Sequence, residues 1–149
     1  MRRTVALGGL LVALTAPTHV QPAFDRTQVE REAMAVLDSL IIALNRHDAQ
    51  AEERTYQFPH YRLANGTMSM WAAPGTEVRG WMNGTYQNLR ASGWDHSAWT
   101  RRRFINISDS KVHIDTEFAR YRKDGSLIAK FESLYIVTKE KGRWHQDAL

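Results

Sequence analysis

A change of period at Trp94 constrains this chain more than any other feature. Before it, apolar residues recur every three or four positions, as they do along one face of a helix; after it come four long strand-like stretches. These run His96 to Ser108, Lys111 to Arg122, Ser126 to Thr138 and Arg143 to the end, with turns at Asp109-Ser110, Asp124-Gly125 and Lys141-Gly142. Turns this short join antiparallel neighbours, so the second half is predicted to be a meander. Long strands twist and curl, and helices gathered on one face of such a sheet close a concave pocket.

The first half supplies those helices. Val29, Ala33, Val36, Leu37, Leu40, Ile41 and Leu44 form one apolar stripe, with Glu30, Arg31, Asp38 and Arg46 mostly off it. Thr27-Gln-Val-Glu30 has the pattern of a capping box, which predicts a helix from Thr27 to near Asn45. Asp48 caps a short second helix, Ala49 to about Thr55. Asn65-Gly66 lies between Tyr61-Arg-Leu63 and Met68-Ser-Met70-Trp71, and both turn residues accept positive φ, so a small hairpin follows. Pro74-Gly75-Thr76 opens a third helix carrying Val78, Trp81, Met82, Tyr86 and Leu89 on one face, with Gly93 placed to stop it. The expected class is α+β.

At 149 residues the chain supports one core. With no cysteine, disulfides, thiolate metal sites and a cysteine nucleophile are excluded. The formal charge is +4, two of it from Arg2 and Arg3, too small an excess to imply nucleic acid. The basic cluster Arg101-Arg102-Arg103 lies in a predicted strand, where neighbours face opposite ways, so it reads as a solvated edge or an anion contact. Met1-Arg2-Arg3 and the apolar run Thr4 to Ala16 have the layout of a secretory signal and are too short for a comfortable membrane span. Residues 1–23 therefore read as a signal peptide or a disordered tail, and residues 27–149 as the domain. Export to the periplasm or medium follows if the signal is genuine; otherwise the protein is cytoplasmic.

Leu44-Asn-Arg-His-Asp48, Phe58-Pro-His60, Gly93-Trp-Asp-His-Ser97 and Arg120-Tyr-Arg-Lys-Asp-Gly125, in this order, resemble SnoaL-like bacterial proteins of the nuclear-transport-factor-two-like (cystatin-like) superfamily. The resemblance covers about residues 27 to 146. It implies a cone: a strongly bent antiparallel sheet with three N-terminal helices packed on its concave face. It also implies frequent homodimers packed through the sheet, and relatives that range from ketosteroid isomerases and polyketide cyclases to scaffolds without catalysis. The chain departs from the catalytic members. Its first helix offers no inward tyrosine, His60 stands where isomerases keep an aspartate base, and the two aspartates bridged by arginine of limonene-epoxide hydrolases are not recognisable. The last strand ends early at Leu149, which is expected to expose a sheet edge or shorten the dimer surface.

His60, at the mouth of the small hairpin, is the catalytic candidate, because an imidazole titrates near neutrality; the alternative is a structural histidine. Along Lys111 to Tyr121, Val112, Ile114, Thr116, Phe118 and Arg120 form the core-facing set. Arg120 ends an apolar row and needs a carboxylate, for which Glu132 on the next strand is the expected partner, or else a ligand oxygen. His113, Asp115 and Glu117 alternate on the other face, too widely spaced for one ion, and read as a solvated or dimer-facing row; no metal and no cofactor is expected. Asp95-His96 reads as turn chemistry, and the triplets Asn65-Gly-Thr67, Asn83-Gly-Thr85 and Asn106-Ile-Ser108 as chance glycosylation matches. The five tryptophans, Trp71, Trp81, Trp94, Trp99 and Trp144, suit an aromatic-lined pocket or ordinary core packing.

Three functions remain open on these readings. One is a homodimeric small-molecule-binding domain, its apolar ligand contacted by Arg120, Trp81, Tyr86, Trp94 and Tyr56. The second is a proton-transfer enzyme (isomerase, cyclase or dehydratase) with His60 as base and Arg120 or Tyr86 stabilising an oxyanion. The third is an interaction scaffold using the outer row.

Overall fold

A computed structural model describes residues 24–148; the N-terminal signal or tail lies outside the described residues. Helix α1 spans Arg26–Asn45, α2 Ala49–Glu53 and α3 Thr76–Ala91; the strands are β1 His60–Ala64, β2 Thr67–Trp71, β3 His96–Ile107, β4 Lys111–Tyr121, β5 Leu127–Glu140 and β6 Arg143–Ala148. This is the α+β order expected from the change of period. Boundaries shift by one or two residues, most tellingly at the start of α1. Asp25, not Thr27, caps α1, its carboxylate accepting from the Gln28 amide at 3.0 Å, and Glu30 pairs instead with Arg26 at 2.9 Å. An aspartate two residues upstream is at least as good a cap as threonine, so the helix starts earlier.

The hairpin β1–β2 stands apart from a four-stranded antiparallel sheet ordered β3-β4-β5-β6. Its turn places Asn65 at φ 53° and Gly66 at φ 72°, the two positive values that a two-residue turn of the type I′ class demands. In the larger sheet the register slips between Trp99 and Arg101, between Phe104 and Asn106 on β3, and at Arg120/Tyr121 between β4 and β5. Each slip adds local bend and twist, which curves the sheet toward the helices.

Helix α1 lies across the concave side, burying Val29, Ala33, Leu37, Leu40 and Ala43, and Asn45 fixes its far end by exchanging two hydrogen bonds with the Ser97 backbone, 2.9 and 2.8 Å. Val29, Ala33 and Leu37 pack with Val112, Ile114 and Val137 in one cluster; Leu40 joins Tyr56, Trp71, Val78, Met82 and Tyr86 in another. Two large apolar clusters, rather than one polar interface, hold the helices to the sheet.

The short last strand does not leave the edge bare. Gln146 donates its amide to the Thr55 carbonyl (2.7 Å) and accepts from the Gln57 amide (2.9 Å), so the segment after α2 runs beside β6 as an extra partner. The expected exposed edge is covered at Gln146 by this connection, which also carries Tyr56 and His60 into the concavity.

Candidate functional site

Between α1, α3, the β1–β2 hairpin and the inner faces of β3, β4 and β5 lies a cavity of about 490 Å³. Sites of roughly 300–1,000 Å³ suit small organic molecules. One part of its wall is apolar, with Leu40, Ile41 and Leu44 of α1, Trp81, Trp99, Phe118 and Phe131. The other part is polar: Glu52, Tyr56, His60, Arg62, Arg120, Tyr135 and Gln146. Leu63 and Leu134, both in the wall and 55% and 43% exposed, mark the rim.

Glu52 is buried on the five-residue α2, which packs against both α1 and α3. Tyr56 donates its hydroxyl to one carboxylate oxygen at 3.0 Å and Tyr86, from α3, to the other at 2.5 Å. Burial raises the Glu52 pKa, the two tyrosine bonds and the Arg62 charge only partly opposing it. The same burial, with Glu52 nearby, pushes the Tyr56 and Tyr86 hydroxyls upward, and burial takes Tyr135 up to about 12. This is a carboxyl kept closer to neutrality than usual at the edge of a cavity.

His60 lies in the wall, 1% exposed, its ring stacked on Tyr56 with centroids 3.8 Å apart and planes 13° apart. Burial lowers its pKa to about 4, against bonds to backbone at Gln146 and Gln57, so the imidazole is neutral at pH 7 and its Nδ1 has no partner. As a base it is weaker than an ordinary histidine by this much.

Arg120 faces the cavity from β4. Its guanidinium sits over the Phe131 ring at 4.3 Å and beside Phe118 at 5.7 Å, and its Nε is buried without a hydrogen bond. The expected ion pair with Glu132 does not form. Cross-strand register sets Arg120 opposite Ala129 and turns Glu132 outward, where it meets Arg101 at 3.3 Å. Arg62 of β1 also enters the wall, over the Trp81 ring at 5.2 Å, and makes no ion pair among the described residues. Burial first, then the nearby Arg62 charge, lowers the Arg120 pKa, so the two cations are close enough to oppose each other.

Of the residues singled out from sequence, Tyr56, His60, Trp81 and Arg120 are brought together in the wall. Tyr86 stands behind it and reaches it through Glu52. Trp94 is buried elsewhere, bonded to Ser97 at 3.0 Å and set edge-on to His47, so it does not line the cavity. Arg101, Arg102 and Arg103 do not form a patch: Arg101 and Arg103 meet Asp115, and Arg102 reaches Asp38 on α1. Asp95 and His96 pair with each other at 2.9 Å on the surface.

Residues 25–146 match the family described as NTF2-like protein (DUF6841). The chain belongs to this NTF2-like family. No curated protein matches it. This NTF2-like protein is similar in fold to an NTF2-like protein with a cystatin-like fold from Novosphingobium aromaticivorans, at TM-score 0.65 and 10% identity, covering 83% of this chain and 83% of that one. A cystatin-like protein of unknown function from Nostoc punctiforme gives TM-score 0.62 at 8% identity, covering 78% and 84%. A ketosteroid isomerase-like protein from Erwinia carotovora atroseptica gives 0.58 at 14%, covering 84% and 98%. At these identities the likeness concerns the fold.

Sequence reasoning missed Glu52, Arg62 and Tyr135 in the NTF2-like cavity. Arg62 carried a signal that could have been used: it alternates with Tyr61 and Leu63 on a strand, and one of the two faces had to turn toward the helices. Glu52 carried none, since a five-residue helix shows no period.

Proposed function

We propose that the cavity binds a small organic molecule, its apolar body against Trp81, Trp99, Phe118 and Phe131 and one oxygen at Arg120. A single observation carries this reading. Arg120 is a half-buried cation in the wall, with an unpartnered Nε and, among the described residues, no ion pair with a carboxylate. Keeping such a group costs stability unless something else meets it.

The experiment is thermal unfolding of wild type and Arg120→Met with a panel of aromatic and aliphatic oxygen-bearing compounds. The expected result is a ligand that raises the wild-type melting temperature, with the shift lost in the variant and the variant's own stability equal or higher. A variant strongly destabilised yet still shifted by the ligand would refute this role for Arg120.

A second reading, proton transfer, is supported by Glu52 rather than by His60. A carboxyl whose pKa is raised by burial, held by two tyrosine hydroxyls beside a cavity, is a better-placed acid or base than an imidazole lowered to about 4.

A further inference from the structure

The second arginine changes what the ligand must be. Arg62 and Arg120 reach one cavity from different elements, the hairpin and the sheet, and neither has an ion-pair partner in the described residues. Each is held against an aromatic face, Arg62 by Trp81 and Arg120 by Phe131, which orients a guanidinium without neutralising it. The wall contains two carboxylates. Glu132 faces outward to Arg101, and both oxygens of Glu52 already accept tyrosine hydroxyls. The cavity therefore keeps an excess of positive charge beside its aromatic and aliphatic wall.

We infer that the ligand is an organic monoanion, a carboxylate on an apolar body, with its carboxylate held between Arg62 and Arg120. This deepens the proposed binding reading and rests on it. Planar guanidinium groups match the two oxygens of a carboxylate, and a single negative charge balances the excess left when Glu52 is ionised. Glu52 and its tyrosines stand beside that position as the polar limit of the site, while Leu40, Ile41, Leu44 and Trp99 receive the apolar body. A highly charged ligand such as a nucleotide would find too few cations here and too much aromatic surface.

The test uses matched pairs that differ only in charge: octanoate with octanamide, and 3-phenylpropanoate with 3-phenylpropanamide. Affinity is measured by calorimetry and by tryptophan fluorescence at pH 7.5. Carboxylates are expected to bind at least about tenfold tighter than their amides, and Arg62→Gln and Arg120→Gln each to lose about tenfold for the carboxylates with little change for the amides, the size expected of one charged contact. The wild-type comparison needs no variant, so a misfolded variant does not remove the test. Amides binding as well as carboxylates would overturn the anion inference and leave small-molecule binding standing. Carboxylate affinity unchanged in Arg62→Gln would overturn the two-armed site and leave Arg120 alone. No binding by any of the four would count against both readings.

Discussion

Strand β4 carries charges on both faces, and the two faces treat them differently. Outward, Asp115 meets Arg101 and Arg103, each at 3.2 Å, and Glu117 meets Lys130 at 2.9 Å, while Arg101 extends to Glu132 on β5. Inward, Thr116 satisfies its hydroxyl on the Ser133 carbonyl at 2.9 Å, and Arg120, four residues further on, meets only rings. Exposed pairs are worth little, so their completeness outside is cheap; an unmatched cation in an enclosed site is costly. On this strand the charges are paired where water would have served, and Arg120 is left without an ion pair on the inner face. Such an inversion is what the proposed binding of a ligand at Arg120 would leave on the inner face.

The largest expected effect comes from the buried histidine. His60 has its pKa lowered from 6.5 to about 4, so its contribution to stability is present above pH 6.5 and is lost as pH falls toward 4. The full loss is about 3 kcal/mol, at about 1.4 kcal/mol per unit. His60→Phe, which keeps a flat ring on Tyr56, should flatten this acid limb in urea unfolding between pH 7 and 4. An acid limb of undiminished size in the variant would mean that the cavity does not exclude charge, and the contrast between the faces would fail.

Glu52 should act in the opposite direction. Its pKa is raised, so its share of stability is complete below its ordinary 4.5 and is lost as pH rises through the higher folded value. Glu52→Gln should therefore be as stable as wild type or roughly 1 kcal/mol more stable at pH 8, the scale of one poorly matched buried polar group, with no such gain at pH 4.5. Chemical unfolding at the two pH values reads the difference. A large loss at pH 8 would show that the ionised carboxylate is welcome inside, contrary to its burial.

The architecture was legible in the sequence because it rests on periods. The stripe from Val29 to Leu44, the Asn65-Gly66 turn and the long alternations after Trp94 each survive any detail of packing, and every helix and strand they predict is present. The inward set on β4, including Arg120, followed from alternation in the same way. What resisted reading depends on which of two alternating sets turns inward. On β1, hydrophobicity alone would bury Tyr61 and Leu63, yet they are 43% and 55% exposed while Arg62 enters the cavity. Packing decided that choice: His60, on Arg62's side of the strand, stacks between Tyr56 and Trp71. Glu52 depended on tertiary placement entirely, and Arg120's lack of a partner depended on a register that sends Glu132 to the opposite face.

The smallest effects belong outside, and they test whether the outer network is as dispensable as its exposure implies. Asp115 takes both Arg101 and Arg103 and its side chain is 23% exposed, whereas the Glu132 side chain, 74% exposed, meets Arg101 alone. Asp115→Ala should cost about 0.5–1 kcal/mol and Glu132→Ala less than about 0.5 kcal/mol, the range for surface pairs with and without a network. Both losses should shrink in 1 M NaCl, where screening reaches roughly 3 Å. Arg120→Met, measured beside them, should show no loss in either salt, because the charge it removes has no ion-pair partner among the described residues. If Asp115→Ala instead costs several kcal/mol and salt leaves that cost unchanged, the outer ions are holding the sheet's curvature. The division between paired charges that contribute little and unpaired charges reserved for a ligand would then have to be abandoned.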